Sequence, residues 1–343
     1  MQAAQLVAQL QEEYQIQIPI RQLFYDPTVR VVAEYIDGQL HSDEELDNES
    51  RNRGNLVLLR SGDKDKNVFF IHGGIGESVT FIDWCKRLDK KYRCWGLSSK
   101  YHNNIAPQTR LMEVIIHPYM NDIRSVQKTG PYTLIGWSAG GVIAYAAAEQ
   151  LELEGEVVDK LILLDSMEPG KYDIGGTKAV QEYKAEDEIE IIHSYLQDEK
   201  LISRLKSEKT VEGIWTSLKY ILENNEEKYR EFKETIKDQF PFIADSIVEY
   251  DYESVEALML YINRFRSFVN TLIRYSPKGK IAVNVNLICA DESTVSIDIN
   301  EWNKYLHKPA ASKKIAGNHF NILYPPYVDD LAKYVNGILD GFY

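Results

Sequence analysis

The sequence predicts an α/β fold built on a mostly parallel sheet, and three observations carry that prediction. Short, almost wholly apolar runs recur along the chain: Leu56 to Leu59, Val68 to Ile71, Tyr132 to Ile135, Leu161 to Leu164, and Val283 to Ile288 with asparagines interposed. Runs of that length are what strands covered on both faces look like. Helical patterns lie between and after them. VIAYAAAEQL, directly after Gly141, consists largely of strong helix formers, and Tyr327, Leu331, Tyr334 and Ile338 share one face of a helix near the end. Finally, 343 residues with 44% apolar content can bury a substantial core, in one large domain or two unequal ones.

Taken in order, the chain begins with Ala3, Leu6, Val7 and Leu10 at amphipathic-helix spacing. Asp26-Pro27 reads as a second helix start, with Asp26 placed to cap free N–H groups and Pro27 tolerated in the first turn, ahead of Val29, Val32 and Ile36. These pieces make a small helical segment over residues 1–40. The stretch HSDEELDNESRNRG, residues 41–54, is polar and without apolar period and reads as a linker. The main domain is expected over 55–343. Between Asp165 and the run at Val283 lie more than a hundred residues, too many for a plain crossover. They are expected to form an inserted helical lid over about 170–278, with apolar residues at helical spacing (Ile189, Ile192, Leu196; Ile214, Leu218; Leu258, Ile262, Phe265). Gly175-Gly176 and Ser276-Pro277-Lys278-Gly279 are candidate hinges.

A formal charge of -13 argues against nucleic acid or an anionic membrane as partner, since like signs repel. No stretch reaches the roughly 18 consecutive apolar residues of a membrane span, and Met1 to Gln15 lacks a targeting pattern, so the expected compartment is the cytoplasm. Cys85, Cys94 and Cys289 are too few and too scattered for a disulfide framework or a zinc site, and are expected to pack as small apolar residues. No metal site is expected.

Gly136-Trp137-Ser138-Ala139-Gly140 fits G-x-S-x-G. Composition alone would give that pattern in about one chain in ten of this length, so its context carries the weight. An apolar strand runs into it and a helix follows, the setting in which a serine is presented on a sharp turn with its hydroxyl exposed. A serine hydroxyl needs a base to become a nucleophile. His319, in Ala316-Gly317-Asn318-His319 ahead of the final helix, stands where the order Ser, acid, His of an α/β-hydrolase fold puts it. The other histidines fall in the linker, in polar stretches or in helical patterns, and His72 belongs to another feature. Two aspartates end apolar strands at the carboxyl edge of the sheet, Asp165 and Asp291, and spacing does not choose between them as the acid that orients His319. His72-Gly73-Gly74-Ile75-Gly76 follows the strand at Val68. Its glycines let the Gly74 N–H face a developing oxyanion, with the Ala139 N–H as second donor. A phosphate loop is the other reading, but no Lys-Ser/Thr follows these glycines.

These residues resemble a known family, the chain-releasing type I thioesterase domains of nonribosomal peptide and polyketide synthetases. Thr129-Gly130-Pro131-Tyr132 through Gly141 is similar to that family's strand and nucleophile turn, and Gly317-Asn318-His319 to its Gly-x-His. Leu164-Asp165-Ser166 is similar to its strand-end aspartate, which favours Asp165 over Asp291 as the acid. Ile18-Pro19-Ile20-Arg21-Gln22-Leu23-Phe24 and Asp26-Pro27-Thr28 resemble the second half of a peptidyl carrier domain. The family's phosphopantetheine serine would fall just ahead of Met1, so the attachment site is expected to be absent from this chain. The resemblance implies a peptidyl or acyl thioester substrate on the phosphopantetheine arm of an upstream carrier domain of a synthetase. It implies an acyl-Ser138 intermediate, release by macrocyclisation or hydrolysis, and no cofactor bound by the thioesterase itself. A stand-alone serine esterase or editing thioesterase, and a non-catalytic α/β-hydrolase-like binding module, are the rival readings.

Overall fold

The computed structural model describes residues 54–99, 104–171, 179–239 and 254–342, together with Leu10 and Glu13. The rest of the 1–40 segment, residues 41–53 and Gly175-Gly176 lie outside the described residues. The chain divides into two compact units, a larger one formed by Asn52–Glu182 with Ile262–Tyr343 and a smaller one that includes Tyr183–Tyr261.

In the larger unit seven strands make one sheet: β1 (Leu56–Arg60), β2 (Asn67–Ile71), β3 (Arg93–Leu97), β4 (Tyr132–Trp137), β5 (Val158–Leu164), β6 (Asn284–Ala290) and β7 (Ala311–Ile315). Their order is β1-β3-β2-β4-β5-β6-β7. β1 runs antiparallel to β3 and every other neighbouring pair is parallel, as the short apolar runs predict. The described helices are α1 (Ile82–Arg87), α2 (Met112–Val126), α3 (Ala139–Leu153), α4 (Ala185–Tyr195), α5 (Glu199–Leu205), α6 (Val211–Glu223), α7 (Glu226–Gln239), α8 (Val255–Arg274), α9 (Ile299–Asn303) and α10 (Val328–Leu339). None of them is long and apolar enough to cross a membrane.

The strands show the two-residue alternation of a sheet buried on both faces. One set, Phe70, Ile135, Trp137, Ile162, Leu164, Ile288 and Ala290, packs in a single cluster with Trp84 of α1 and Leu331, Val335 and Ile338 of α10. α3 lies against β2, β4 and β5, and its run of alanines lets the helix approach the strands closely. Two strands lack the apolar run that marks the others. β3, RCWGL, is fully buried although it opens on Arg93, whose guanidinium lies 5.2 Å from the Trp95 ring. β7, ASKKI, is an edge strand whose first four residues are exposed, so lysines occupy it without cost.

In the smaller unit the predicted amphipathic segments are α4 and α6, and α5 and α7 accompany them. Ile189, Ile192, Ile214, Leu218, Phe232 and Ile236 are buried, and Tyr195 meets Phe232 edge-on at 5.8 Å. The buried Glu188 carboxylate accepts the Trp215 indole N–H at 2.8 Å. Asp198 and Thr210 cap α5 and α6 through their side chains. α8 starts in this unit, and its residues from Ile262 onward belong to the larger one.

The turn Ser276-Pro277-Lys278-Gly279, which has the composition of a hinge, is hydrogen-bonded to α3. Glu149 of α3, 5% exposed, accepts from the Lys278 N–H at 2.6 Å, the Gly279 N–H at 2.9 Å and the Tyr275 hydroxyl at 2.8 Å. One turn further along α3, Glu152 accepts from the N–H groups of Ala282 and Val283. The chain is thereby fixed as it returns to β6. Glu149→Ala would strand three donors at once and should lower unfolding stability by about 3 kcal/mol, read from urea denaturation; a change under about 1 kcal/mol would mean that solvent replaces the carboxylate.

Candidate active site

The carboxyl ends of β2, β4, β5 and β6 lie in a row, and the chain turns out of the sheet there into the residues singled out above. Pairing sets their depth: Trp137 lies opposite Leu164, and Leu164 opposite Ile288. Ser138 and Asp165 are therefore successive steps of one ladder. Ser138 N–H donates to Leu164 O at 2.9 Å and Asp165 N–H to Ile288 O at 2.7 Å. Both residues leave their strands at positive φ, 56° for Ser138 and 46° for Asp165, the only non-glycine residues to do so among those described. Such a conformation is disfavoured for an L-residue and persists where the surroundings over-determine it.

At Ser138 the surroundings are the strand before it and α3 after it. A side chain on Gly136 would run into the Gly140 carbonyl, and one on Gly140 into the carbonyls of Ile71 and His72. The turn can be this sharp only because those positions carry no Cβ. It sets Ser138 at the N-cap of α3, where the helix field favours negative charge.

The Ser138 Oγ lies 2.9 Å from His319 Nε2, and His319 Nδ1 lies 2.6 Å from Asp165 Oδ2. With the Nδ1 proton directed at the carboxylate, the Nε2 lone pair receives the serine hydroxyl. Asp165 is wholly buried and His319 is 8% exposed. The imidazole ring lies over Trp137 at 5.4 Å with 31° between planes and meets Phe320 edge-on at 5.0 Å. Trp137 also donates its indole N–H to the His319 carbonyl at 3.1 Å. The loop carrying the histidine is closed by two asparagines: Asn318 Oδ1 accepts from the N–H groups of Phe320 and Asn321, and Asn321 Oδ1 accepts from Asn318 N–H at 2.6 Å.

The two aspartates that spacing could not separate are placed differently. Asp165 accepts from His319. Asp291 is exposed, and its Oδ1 accepts from the Gly317 N–H at 3.0 Å, two residues before the histidine. It holds the loop. Sequence reasoning left unnoticed the residues that support the site: Trp137, Asn318, Asn321 and Ser293, whose hydroxyl donates to Asp165 Oδ2 at 2.6 Å. Only Trp137 and Asn318 had a visible signal, as neighbours of the serine and the histidine.

Gly74 lies beside the serine turn: a Cβ there would stand 4.0 Å from the Ala139 Cβ and 3.2 Å from the Phe265 ring. A glycine thus leaves room between the loop after β2 and the start of α3. His72, ahead of these glycines, is buried between Gly73 O at 2.6 Å and the Tyr119 hydroxyl at 2.5 Å. Burial lowers its pKa to about 4, with the nearby Arg264 charge acting the same way against the Gly73 hydrogen bond, so it is a neutral structural imidazole. Of the cysteines, Cys85 and Cys94 are buried and Cys289 is half-buried. Burial and the Asp165 charge push the Cys289 thiol up to about 11.

A serine, an imidazole and a buried carboxylate in one hydrogen-bonded line can transfer an acyl group through the serine oxygen. Residues 66–206 match the family described as the thioesterase domain, and residues 1–36 match the phosphopantetheine attachment site family. A probable non-canonical nonribosomal peptide synthetase, CymA, of Salinispora arenicola (strain CNS-205) is 36% identical over 171 residues, which is 49% of this chain and 2% of that protein. The chain therefore spans a small fraction of such relatives. Among solved structures, a holo four-domain nonribosomal peptide synthetase bound to AMP and glycine superposes with a TM-score of 0.56 at 17% identity, covering 98% of this chain and 23% of that one. The thioesterase domain SrfTE, described for cyclisation of the lipopeptide antibiotic surfactin, superposes with a TM-score of 0.51 at 17% identity, covering 85% of this chain and 98% of that one. The sheet order and the family matches agree: residues 66–206 of this chain carry the pattern of the thioesterase domain family on the fold of solved thioesterase domains, and residues 1–36 that of the phosphopantetheine attachment site family.

Proposed function

We propose that this domain releases a peptidyl or acyl chain from the phosphopantetheine arm of a carrier domain through an acyl-Ser138 intermediate. The observation that carries the reading is the line Ser138–His319–Asp165, with contacts of 2.9 and 2.6 Å. Ser138 Oγ attacks the thioester carbonyl carbon while its proton passes to His319 Nε2. Asp165, buried and bonded to Nδ1, stabilises the imidazolium. The oxygen that gains charge is received by the N–H groups of Gly74 and Ala139. Collapse breaks the carbon–sulfur bond, and the departing sulfur takes the proton from His319; a thiol of pKa near roughly 8.5 leaves readily.

The ester on Ser138 is then attacked by water or by a hydroxyl or amine of the bound chain itself, which gives its proton to His319. The carbon–oxygen bond breaks, and Ser138 recovers a proton. Water yields a linear acid and an internal nucleophile yields a macrocycle. Support for a carrier-borne substrate comes from the match of residues 1–36 to the attachment-site family.

Two outcomes are expected. Intact-protein mass spectrometry after mixing with a peptidyl thioester of a pantetheine mimic should show a mass increase mapping to Ser138, and Ser138→Ala should abolish it. Turnover retained by the alanine variant would end the assignment. In the same assay Asp165→Asn should cost about 10³- to 10⁴-fold in turnover, because the imidazole loses both its tautomer and its counter-charge. Asp291→Asn keeps an amide oxygen for the Gly317 N–H and should cost less than about tenfold; the reverse ranking would transfer the role of acid to Asp291.

A further inference from the structure

The turn after β6 makes contacts that the reaction just described does not use. Ser293 N–H donates to Ala290 O at 3.3 Å, closing the turn. Ala290 N–H donates to Asp165 Oδ1 at 2.9 Å, and the Ser293 hydroxyl donates to Oδ2 at 2.6 Å. That Oδ2 also receives His319 Nδ1–H at 2.6 Å. The direction of the serine proton is set by its other bond: the Ser293 oxygen accepts Val295 N–H at 3.1 Å, which leaves the O–H to point at the carboxylate.

We infer that Ser293 is a positioning residue for the Asp165 carboxylate, holding Oδ2 on His319 and stabilising the charged form of the pair. The inference rests on the reading of Asp165 as the acid of the site. Two consequences follow from the geometry. Rotation of the carboxylate away from the imidazole has to break the Ser293 and Ala290 bonds together with the histidine's. The pair also carries one negative charge while the imidazole is neutral and none once it takes a proton, so a donor on Oδ2 favours the unprotonated pair. The other titratable groups on this edge leave the carboxylate to these donors. The Cys289 thiol of β6 is held up to about 11 by burial and by Asp165, with Lys314 of β7 acting on it in the opposite sense. Asp291 is engaged with Gly317.

The test is the pH dependence of Ser138 labelling by a simple ethyl fluorophosphonate, which reports serine attack without requiring the natural acyl chain. It is run on the full chain carrying Ser293→Ala, Ser293→Thr or Asp165→Asn. Ser293→Ala should label about tenfold more slowly at neutral pH. Its acidic limb should move upward, since the unprotonated pair loses a donor. Ser293→Thr, which keeps the hydroxyl, should restore both. Should the alanine variant fail to fold, Ser293→Cys, similar in size but a weak donor, should show the same upward shift. A lowered melting temperature with rate and limb unchanged would make Ser293 a turn-closing residue only and overturn the inference. Asp165→Asn labelling at the wild-type rate would show instead that the acid itself is misassigned, and the inference would fall with it.

Discussion

A carboxylate with no exposure to solvent is costly unless its lone pairs find donors, and the carboxyl edge of this sheet is arranged around supplying them to Asp165. One donor is the backbone at the end of β6, one is a hydroxyl on the turn that follows, and one is the imidazole on the loop after β7. The same stretch of chain fixes its neighbours: Asp291 N–H donates to Ile315 O, Glu292 N–H donates to Gly317 O, and the Asp291 carboxylate takes the Gly317 N–H. Three separate segments thus meet at one buried charge. Removing that charge would leave three donors without their acceptor, whereas removing any single donor leaves the others in place.

The second constraint is conformational. Ser138 and Asp165 occupy a backbone region that costs non-glycine residues on the order of 1–3 kcal/mol each, and they do so on adjacent strands. Each is held from both sides. Ser138 donates to Leu164 O and accepts from Gly141 N–H, and Asp165 donates to Ile288 O while its side chain is bonded to β6 and to His319. The strain aims the serine oxygen and the carboxylate at a common histidine, which a strand continuing in extended conformation would not do, since its side chains alternate between the two faces of the sheet.

What could be read in advance follows from what is local. Five strands announce themselves as apolar runs, four of them inner strands of the sheet and β1 a half-buried edge strand. β3 and β7 do not, the first because it begins with an arginine and contains a glycine, the second because an edge strand tolerates lysines. Ser138 and His319 could be picked out because a strand, a helix and small residues surround them in the sequence itself. The choice between Asp165 and Asp291 could not, since both follow apolar strands. It depends on the direction each side chain takes as it leaves the sheet, and so on the positive φ at Asp165 and on β5 lying between β4 and β6. Ser293, inside the polar run Asp-Glu-Ser-Thr, carries no pattern at all. The bonds that hold Ser276–Gly279 are illegible for a related reason: the composition of the turn is local, but the Glu149 carboxylate that binds it lies far away in the sequence.

α3 joins these constraints. Its first residues close the serine turn and approach β2 so closely that side chains are excluded at Gly136 and Gly140, while Glu149 and Glu152, nearer its other end, pin the chain as it returns to β6. β6 in turn supplies the donors that hold Asp165. One helix therefore sets Ser138 and, through the strand it fixes, Asp165. Every bond in that circuit is made by residues of the larger unit. The segment between Tyr183 and Tyr261 enters none of them, so the Ser138–His319–Asp165 distances are set within the larger unit alone.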